Sequence, residues 1–213
     1  MNKNIADIRK DYSLLSLDES NIAADPFQQF TRWWNEAVNS EIDEVNAMML
    51  STSTKDGKPS ARIVLLKDFD ESGFVFFTNY DSNKGKELAE NPFAALTFFW
   101  KEIERQVRIE GTVEKVDASE SDTYFFSRPE GSRIGAWASP QSNVIENRAV
   151  LEKNVARYTN EFQNSIPRPP HWGGYRVMPL KIEFWQGRSN RLHDRILYTK
   201  TVKGSWKADR LAP

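Results

Sequence analysis

From residue 46 to residue 116, short apolar runs and turn-forming clusters follow one another without a break, and this alternation constrains the fold most. Residues 48–53 read as a strand, Lys55-Asp56-Gly57-Lys58 as a tight turn, and 60–67 as the partner strand. Asp70-Glu71-Ser72-Gly73 turns the chain into a strand at 74–78. Ser82 can cap a short helix over 84–90, which Asn91-Pro92 stops. Strands at 93–100 and 106–116 follow. Strands this short, at hairpin spacing, predict an antiparallel barrel or sandwich.

Helices flank this region. Residues 1–25 are polar and lack clear periodicity, which predicts a mobile N-terminal arm. Asp25-Pro26 pairs an N-cap acid with a first-turn proline, and Phe27, Phe30, Trp34 and Val38 follow at the spacing of one buried helix face. Ser119 begins a short helix that ends before Pro129, and 135–142 reads as a small-residue loop. Asn143, with Glu146 three residues on, resembles a capping pair opening a longer helix with Leu151, Val155, Tyr158 and Phe162 on one side. Prolines stiffen the loop 166–170, and strands are expected at 175–185, 191–199 and 205–210. No repeat and no linker divides the chain. Residues 26–213 are therefore expected to form one mainly β domain, an antiparallel barrel with peripheral helices.

Composition narrows the chemistry. The 213 residues contain no cysteine, which excludes disulfides, thiol nucleophiles, iron–sulfur clusters and thiolate zinc sites. Only two histidines occur, His171 and His193, so no His-rich metal site is expected. Redox chemistry would need a bound organic cofactor. A net charge of −1 offers no field to attract nucleic acid or a membrane surface. No apolar run approaches the roughly 18 residues of a membrane span, and the first residues lack a signal core. A cytoplasmic location is the simplest expectation.

Several sets of side chains could carry chemistry. Arg62-Ile63-Val64-Leu65-Leu66-Lys67 places cations at both ends of an apolar strand, on opposite faces because their spacing is odd. Such a strand could lie along a flat ligand, although strand-end cations often only snorkel to solvent. Ser82-Asn83-Lys84 opens a helix whose free N–H groups and lysine would suit a phosphate. Gln106 could bond a heterocycle edge from a strand face it shares with Arg108 and Glu110. Tyr124, Arg128 and Ser132, spaced by four, form an anion-compatible set. Gln141 and Ser142 could meet a phosphate at a following helix start, or simply cap it. Trp185 could pack against a planar ring or belong to the core. In Arg191-Leu192-His193-Asp194-Arg195, a strand would point Arg191, His193 and Arg195 one way, about 7 Å apart. Two charges at that spacing repel by about 2–3 kcal/mol in a half-buried site, which an anion or an electron-rich ring would offset.

Read in order, RIVLLK, FTN and SNK, ERQVRIEG, YFFSRPEGSRIGAWASPQS, PRPPHWGGYRV, EFWQG, RLHDR and WKADRLAP resemble the pyridoxamine 5′-phosphate oxidase family, from about residue 9 to residue 213. The resemblance implies a homodimer of FMN-binding split β-barrels with FMN at the subunit interface. It implies oxidation of pyridoxamine 5′-phosphate or pyridoxine 5′-phosphate to pyridoxal 5′-phosphate, with hydride passing to the flavin and then O2 reduced to H2O2. By resemblance, Arg62 and Lys84, with Asn83, Gln141 and Ser142, would hold the FMN phosphate. Ile63, Val64, Leu65, Leu66, Lys67, Phe77, Thr78, Gln106, Trp185 and Arg195 would line the rest of the cofactor. Lys67, Tyr124, Arg128 and Ser132 would clamp the substrate phosphate, Arg191 and His193 would sit at the substrate ring as catalytic residues, and Arg9 and Tyr12 would cover the pocket. Asn83 stands where many members carry arginine, and Glu44 where aspartate is usual. The competing readings are a nicotinamide-dependent flavin reductase on the same barrel, a non-enzymatic carrier of FMN or pyridoxal phosphate, and a nucleic-acid-binding barrel, which the net charge disfavours.

Overall fold

The structure is a computed structural model that describes residues 4–8, 10–163 and 165–213. In chain order these form α1 (Pro26–Asn39), β1 (Ala47–Ser53), β2 (Pro59–Leu65), β3 (Asp68–Asp70), β4 (Gly73–Asn79), α2 (Asn83–Glu90), β5 (Phe93–Trp100), β6 (Arg105–Lys115), α3 (Ala118–Ser127), α4 (Glu130–Ala138), α5 (Arg148–Phe162), β7 (Trp172–Gln186), β8 (Asp194–Lys200) and β9 (Trp206–Arg210). The strands share one sheet in the order β2-β1-β5-β6-β7-β4-β3, with β8 on β7 and β9 on β8. The β3/β4, β4/β7, β7/β8 and β8/β9 pairs are antiparallel. The long β7 pairs with β4 through its first half and with β8 through its second, from Trp172↔Asn79 to Gln186↔Asp194. The fold is a mainly β, curled antiparallel half-barrel with helices, as the strand–turn rhythm predicts. None of the described helices is long and apolar enough to cross a membrane.

The chain clusters into two compact units, one of residues 1–49, 95–111 and 179–213, the other of 50–94 and 112–178. In the first unit an aromatic core joins α1 to the sheet. Phe30 lies 5.3 Å from Phe98, and Trp33 meets Phe184 edge-on at 5.2 Å. Residues 13–23, within the expected arm, are tied to this unit. The Ser13 and Leu14 N–H groups donate to Glu104, that of Leu17 to Asp194, and that of Ala23 to Gln29. In the second unit Phe125, Ile134, Ile166 and Trp172 form a buried cluster.

Four expectations are corrected. The N-cap of α1 is as predicted, with the Asp25 carboxylate accepting from Phe27 and Gln28 N–H. Its buried face, however, carries Trp33 and Ala37, while Trp34 is half-buried and Val38 exposed. The Arg105 guanidinium, 4.3 Å over the Trp33 ring, and Phe184 draw that indole inward. Residues 130–138 form α4, so the stretch predicted as a loop from 135 is helical as far as Ala138; Pro129 is the N-cap, and its carbonyl accepts from Ser132 and Arg133 N–H. Gln141 and Ser142 thus follow a helix end. Next, α5 opens at Arg148, capped by the Asn147 side chain on Ala149 N–H, while Asn143 instead bonds the Pro140 carbonyl; Val155 is exposed. Finally, β8 begins only at Asp194. Asn190 (φ 58°) and Arg191 (φ 62°) are left-handed, and Leu192 N–H closes a turn onto the Ser189 carbonyl. Arg191, His193 and Arg195 therefore do not share a strand face.

Candidate active site

In the second unit a cavity of about 650 Å³ opens beside the end of β4. It is lined by Arg62, Ile63, Val64 and Leu65 of β2, by Lys67, by Phe77 and Thr78 of β4, by Lys84 of α2, by Tyr124, Arg128 and Ser132 around the α3–α4 junction, and by Gln141. Those expected site residues are brought together. Leu66 is buried, and Asn83 and Ser142 are exposed; none of these three lines the cavity. Arg9 lies outside the described residues.

The cations of the cavity fall into two sets. Lys84 is 9% exposed, and its ammonium donates to Thr78 Oγ1 (3.2 Å), Ser82 Oγ (3.3 Å) and Gln141 Oε1 (3.0 Å), all neutral acceptors. Burial first, and then the Arg62 charge, lower its pKa to about 8, against the pull of Glu87. Arg62 is held from behind: Nη1 donates to Leu50 O and Thr52 Oγ1, and Nη2 to Ser60 Oγ and Glu87 Oε2 (3.2 Å). Burial alone would raise the Glu87 pKa, but its bonds from Thr52, Ser60 and Arg62 keep it low.

The second set surrounds an aromatic stack. Phe77 and Tyr124 lie 4.1 Å apart, and Phe77 and Trp172 5.6 Å apart, nearly parallel. Lys67 Nζ sits 5.7 Å from the Tyr124 centroid, and the Arg128 guanidinium 4.6 Å from that of Trp172. Arg128 Nη1 is buried with no hydrogen-bond partner, and burial lowers the guanidinium's pKa against the pull of Tyr124. A desolvated, unpaired donor of this kind is costly when no anion is bound and free to bond one in the cavity.

Sequence reasoning missed Trp172, which platforms Arg128, and Asn79 and Ser139, which also line the cavity. The signal for Trp172 was the Gly173-Gly174 pair after it. A Cβ on Gly173 would stand 2.1 Å from the Tyr80 hydroxyl, and one on Gly174 2.8 Å from the Phe77 ring, so a side chain at either position would have to displace rings beside the stack.

The remaining expected residues lie in the first unit. Trp185 and His193 are 4.6 Å apart, and Tyr12 meets Trp185 edge-on at 5.8 Å. The Arg188 main-chain N–H donates to His193 Nδ1 at 3.1 Å. Arg191 is exposed, and Gln106 is half-buried on β6. Arg195 is held by Glu183 Oε1 (2.8 Å) and the Ala212 carbonyl (2.8 Å).

Two family profiles match successive parts of the chain. Residues 34–161 match the family profile described as "Pyridoxamine 5′-phosphate oxidase". The chain belongs to the pyridoxamine 5′-phosphate oxidase family. Residues 172–213 match the "Pyridoxine 5′-phosphate oxidase C-terminal dimerisation region". Relatives in this oxidase family include the pyridoxine/pyridoxamine 5′-phosphate oxidases of Nostoc punctiforme, 60% identical over 100% of both chains, and of Paraburkholderia phymatum, 58% identical over 98% of this chain and 99% of that one. Among solved structures, PhzG of Burkholderia lata, in complex with tetrahydrophenazine-1-carboxylic acid, is 31% identical with a TM-score of 0.89, covering 96% of this chain and 100% of that one. A pyridoxamine 5′-phosphate oxidase-related, FMN-binding protein of Nostoc punctiforme, 17% identical with a TM-score of 0.69 over 90% of this chain and 100% of that one, shares the fold.

Proposed function

We propose that this protein is an FMN-dependent oxidase that converts pyridoxamine 5′-phosphate and pyridoxine 5′-phosphate to pyridoxal 5′-phosphate, working as a cytoplasmic homodimer. The observation that carries the reading is the pair of cation sets in one cavity. Lys84 has only neutral partners, and Arg128 carries a buried N–H with none. Two ligands that each end in a phosphate fit these two sets, one apiece. Charge-assisted contacts of this type contribute about 1.5–3 kcal/mol each.

Lys84 and Arg62, with Gln141, would hold the FMN phosphate. β2 is an edge strand, so alternate peptide groups among Ile63, Val64 and Leu65 have no ladder partner and can bond a flat heterocycle. Lys67, Tyr124, Arg128 and Ser132 would hold the substrate phosphate, with Trp172 and Phe77 keeping that end rigid. Bound FMN would supply the redox chemistry, as hydride acceptor for the substrate C4′ and as the route by which its two electrons reach O2 to give H2O2. The protein's part is to fix the two ligands and exclude water. Trp185 and Arg195 would serve the cofactor, and Tyr12, Arg191 and His193 the substrate ring.

The similarity to PhzG favours a second reading, a flavin enzyme acting on a phosphate-free ring acid. One experiment separates the two. Protein reconstituted with FMN is mixed anaerobically with pyridoxamine 5′-phosphate, with unphosphorylated pyridoxamine, with a tetrahydrophenazine carboxylate, or with reduced nicotinamide. Bleaching of the flavin band by the phosphorylated amine, and H2O2 on admitting air, is the expected result. No bleaching by the phosphorylated compounds, or equal bleaching without the phosphate, overturns the proposal.

A further inference from the structure

His193 is one of only two histidines in the chain, and its environment dictates where its proton sits. Its Nδ1 accepts a hydrogen bond from the main-chain N–H of Arg188 at 3.1 Å. A ring nitrogen whose lone pair receives an N–H cannot itself carry a proton, so the neutral ring holds its proton on Nε2. We propose that His193 works as a neutral imidazole, fixed by the Arg188 N–H as the Nε2–H tautomer, and that it donates a hydrogen bond to the bound substrate rather than taking a proton from it. The identity of that substrate rests on the reading above; the tautomer does not.

The arrangement is over-determined. Trp185 at 4.6 Å and Tyr12 at 6.1 Å confine the ring. Arg188 is anchored in turn, since its Nη1 donates to Asp194 Oδ2 at 3.1 Å. Asp194 also accepts from Leu17 N–H (3.1 Å) and Arg210 Nη1 (2.9 Å). Two consecutive left-handed residues, Asn190 and Arg191, turn the chain between Arg188 and His193 and so bring the ring back to the Arg188 N–H. Non-glycine residues hold that conformation only when their surroundings impose it. Protonating Nδ1 would set two donors face to face and break this knot.

The charged groups around the ring act in both directions. Burial first and then Arg191 disfavour the imidazolium, Asp194 favours it, and the result is a lowered pKa. Lys10, 5.7 Å from the Tyr12 centroid, is paired with Glu104 at 3.1 Å, so its charge near that ring is largely balanced. Arg188 and Asp194 are therefore positioning residues, acting through His193.

The test is nitrogen NMR on FMN-loaded protein with labelled histidine. Only two rings contribute, and His193→Gln identifies one by removing it. The expected spectrum shows an unprotonated Nδ1 and a protonated Nε2 for His193 from about pH 7 to 8. An imidazolium, or a proton on Nδ1, in that range overturns the proposal. A kinetic arm uses pyridoxamine 5′-phosphate. His193→Leu lowers kcat/KM about 10- to 100-fold. His193→Gln, whose amide N–H can stand in for Nε2–H, recovers most of that loss, and the acid limb of the pH profile survives in both variants. Loss of that limb, or a glutamine as poor as leucine, also overturns it. If the phosphorylated vitamers are not substrates, the anaerobic bleaching experiment reports that failure and the spectrum still decides the tautomer.

Discussion

Lys84 is a cation whose surroundings have removed much of its reason to stay charged. Its pKa of about 8, against 10.5 in solution, means the folded protein gives up this proton before the unfolded chain does. Stability of the ligand-free protein therefore rises between pH 8 and 10.5, where the unfolded state binds more protons. Anion binding runs the other way, because a phosphate prefers the ammonium. FMN affinity should fall by up to about tenfold per pH unit above 8. Flavin fluorescence titrations across that range should show the decline, and Lys84→Met should bind weakly with the slope removed. Arg128 offers a second contrast, between function and stability. Its buried Nη1 has no partner, and such a group costs about 1–3 kcal/mol. Arg128→Leu should raise KM for pyridoxamine 5′-phosphate at least about 10-fold, as the loss of even one charge-assisted bond would. It should leave the melting temperature unchanged or higher, and a large drop in melting temperature would contradict the unpaired assignment. In the sequence both residues read as candidate anion ligands. Their unusual states could not be read there, because the groups that bury them, Gln141 for Lys84 and Trp172 for Arg128, lie far along the chain.

Elements closed by local chemistry were readable. The Asp25 cap of α1, the Gly57 turn between β1 and β2 (φ 84°) and the Ser82 cap of α2 each satisfy their bonds within a few residues. Elements decided elsewhere were misread. Two glycines disguise α4, which stands because Pro129 starts it and the Phe125–Trp172 cluster receives Ile134. Alternation suggested a strand from Arg191, yet the Arg188–His193 bond turns the chain and delays β8 to Asp194. α2 shows how an element positions a site. A Cβ on Gly85 would stand 2.0 Å from the Tyr80 carbonyl oxygen, so Gly85→Ala must push the start of this helix away. Overpacking of that kind costs about 1–3 kcal/mol. The expected variant melts several degrees lower, by calorimetry, and loses FMN affinity beyond what its stability explains, since Lys84 precedes Gly85.

At the scale of the whole chain, the cation-lined cavity lies in one compact unit and the Trp185–His193 cluster in the other. The N-terminal segment belongs with the latter. Glu104, 2% exposed, accepts from Ser13 N–H (2.9 Å) and Leu14 N–H (3.1 Å) and pairs with Lys10 (3.1 Å). Burial alone would raise its pKa, but these three bonds outweigh it and the pKa is lowered. Its contribution is therefore complete above the ordinary glutamate range and is lost as pH falls through the depressed value. Glu104→Ala should release the segment at neutral pH, with faster amide exchange at Ser13 and Leu14 and unchanged exchange in β5. Equal protection in variant and parent would show that other contacts hold it. The sequence by itself determined the strand–turn rhythm, the helix caps, the cation and aromatic motifs and the family they mark, because each depends on neighbours a few residues away. The tertiary structure alone decided which face α1 buries, where β8 begins, why Lys84 is half-disposed to lose its proton and why His193 keeps its proton on one nitrogen. Those outcomes depend on burial and on partners distant in sequence, and neither exists until the chain has closed on itself.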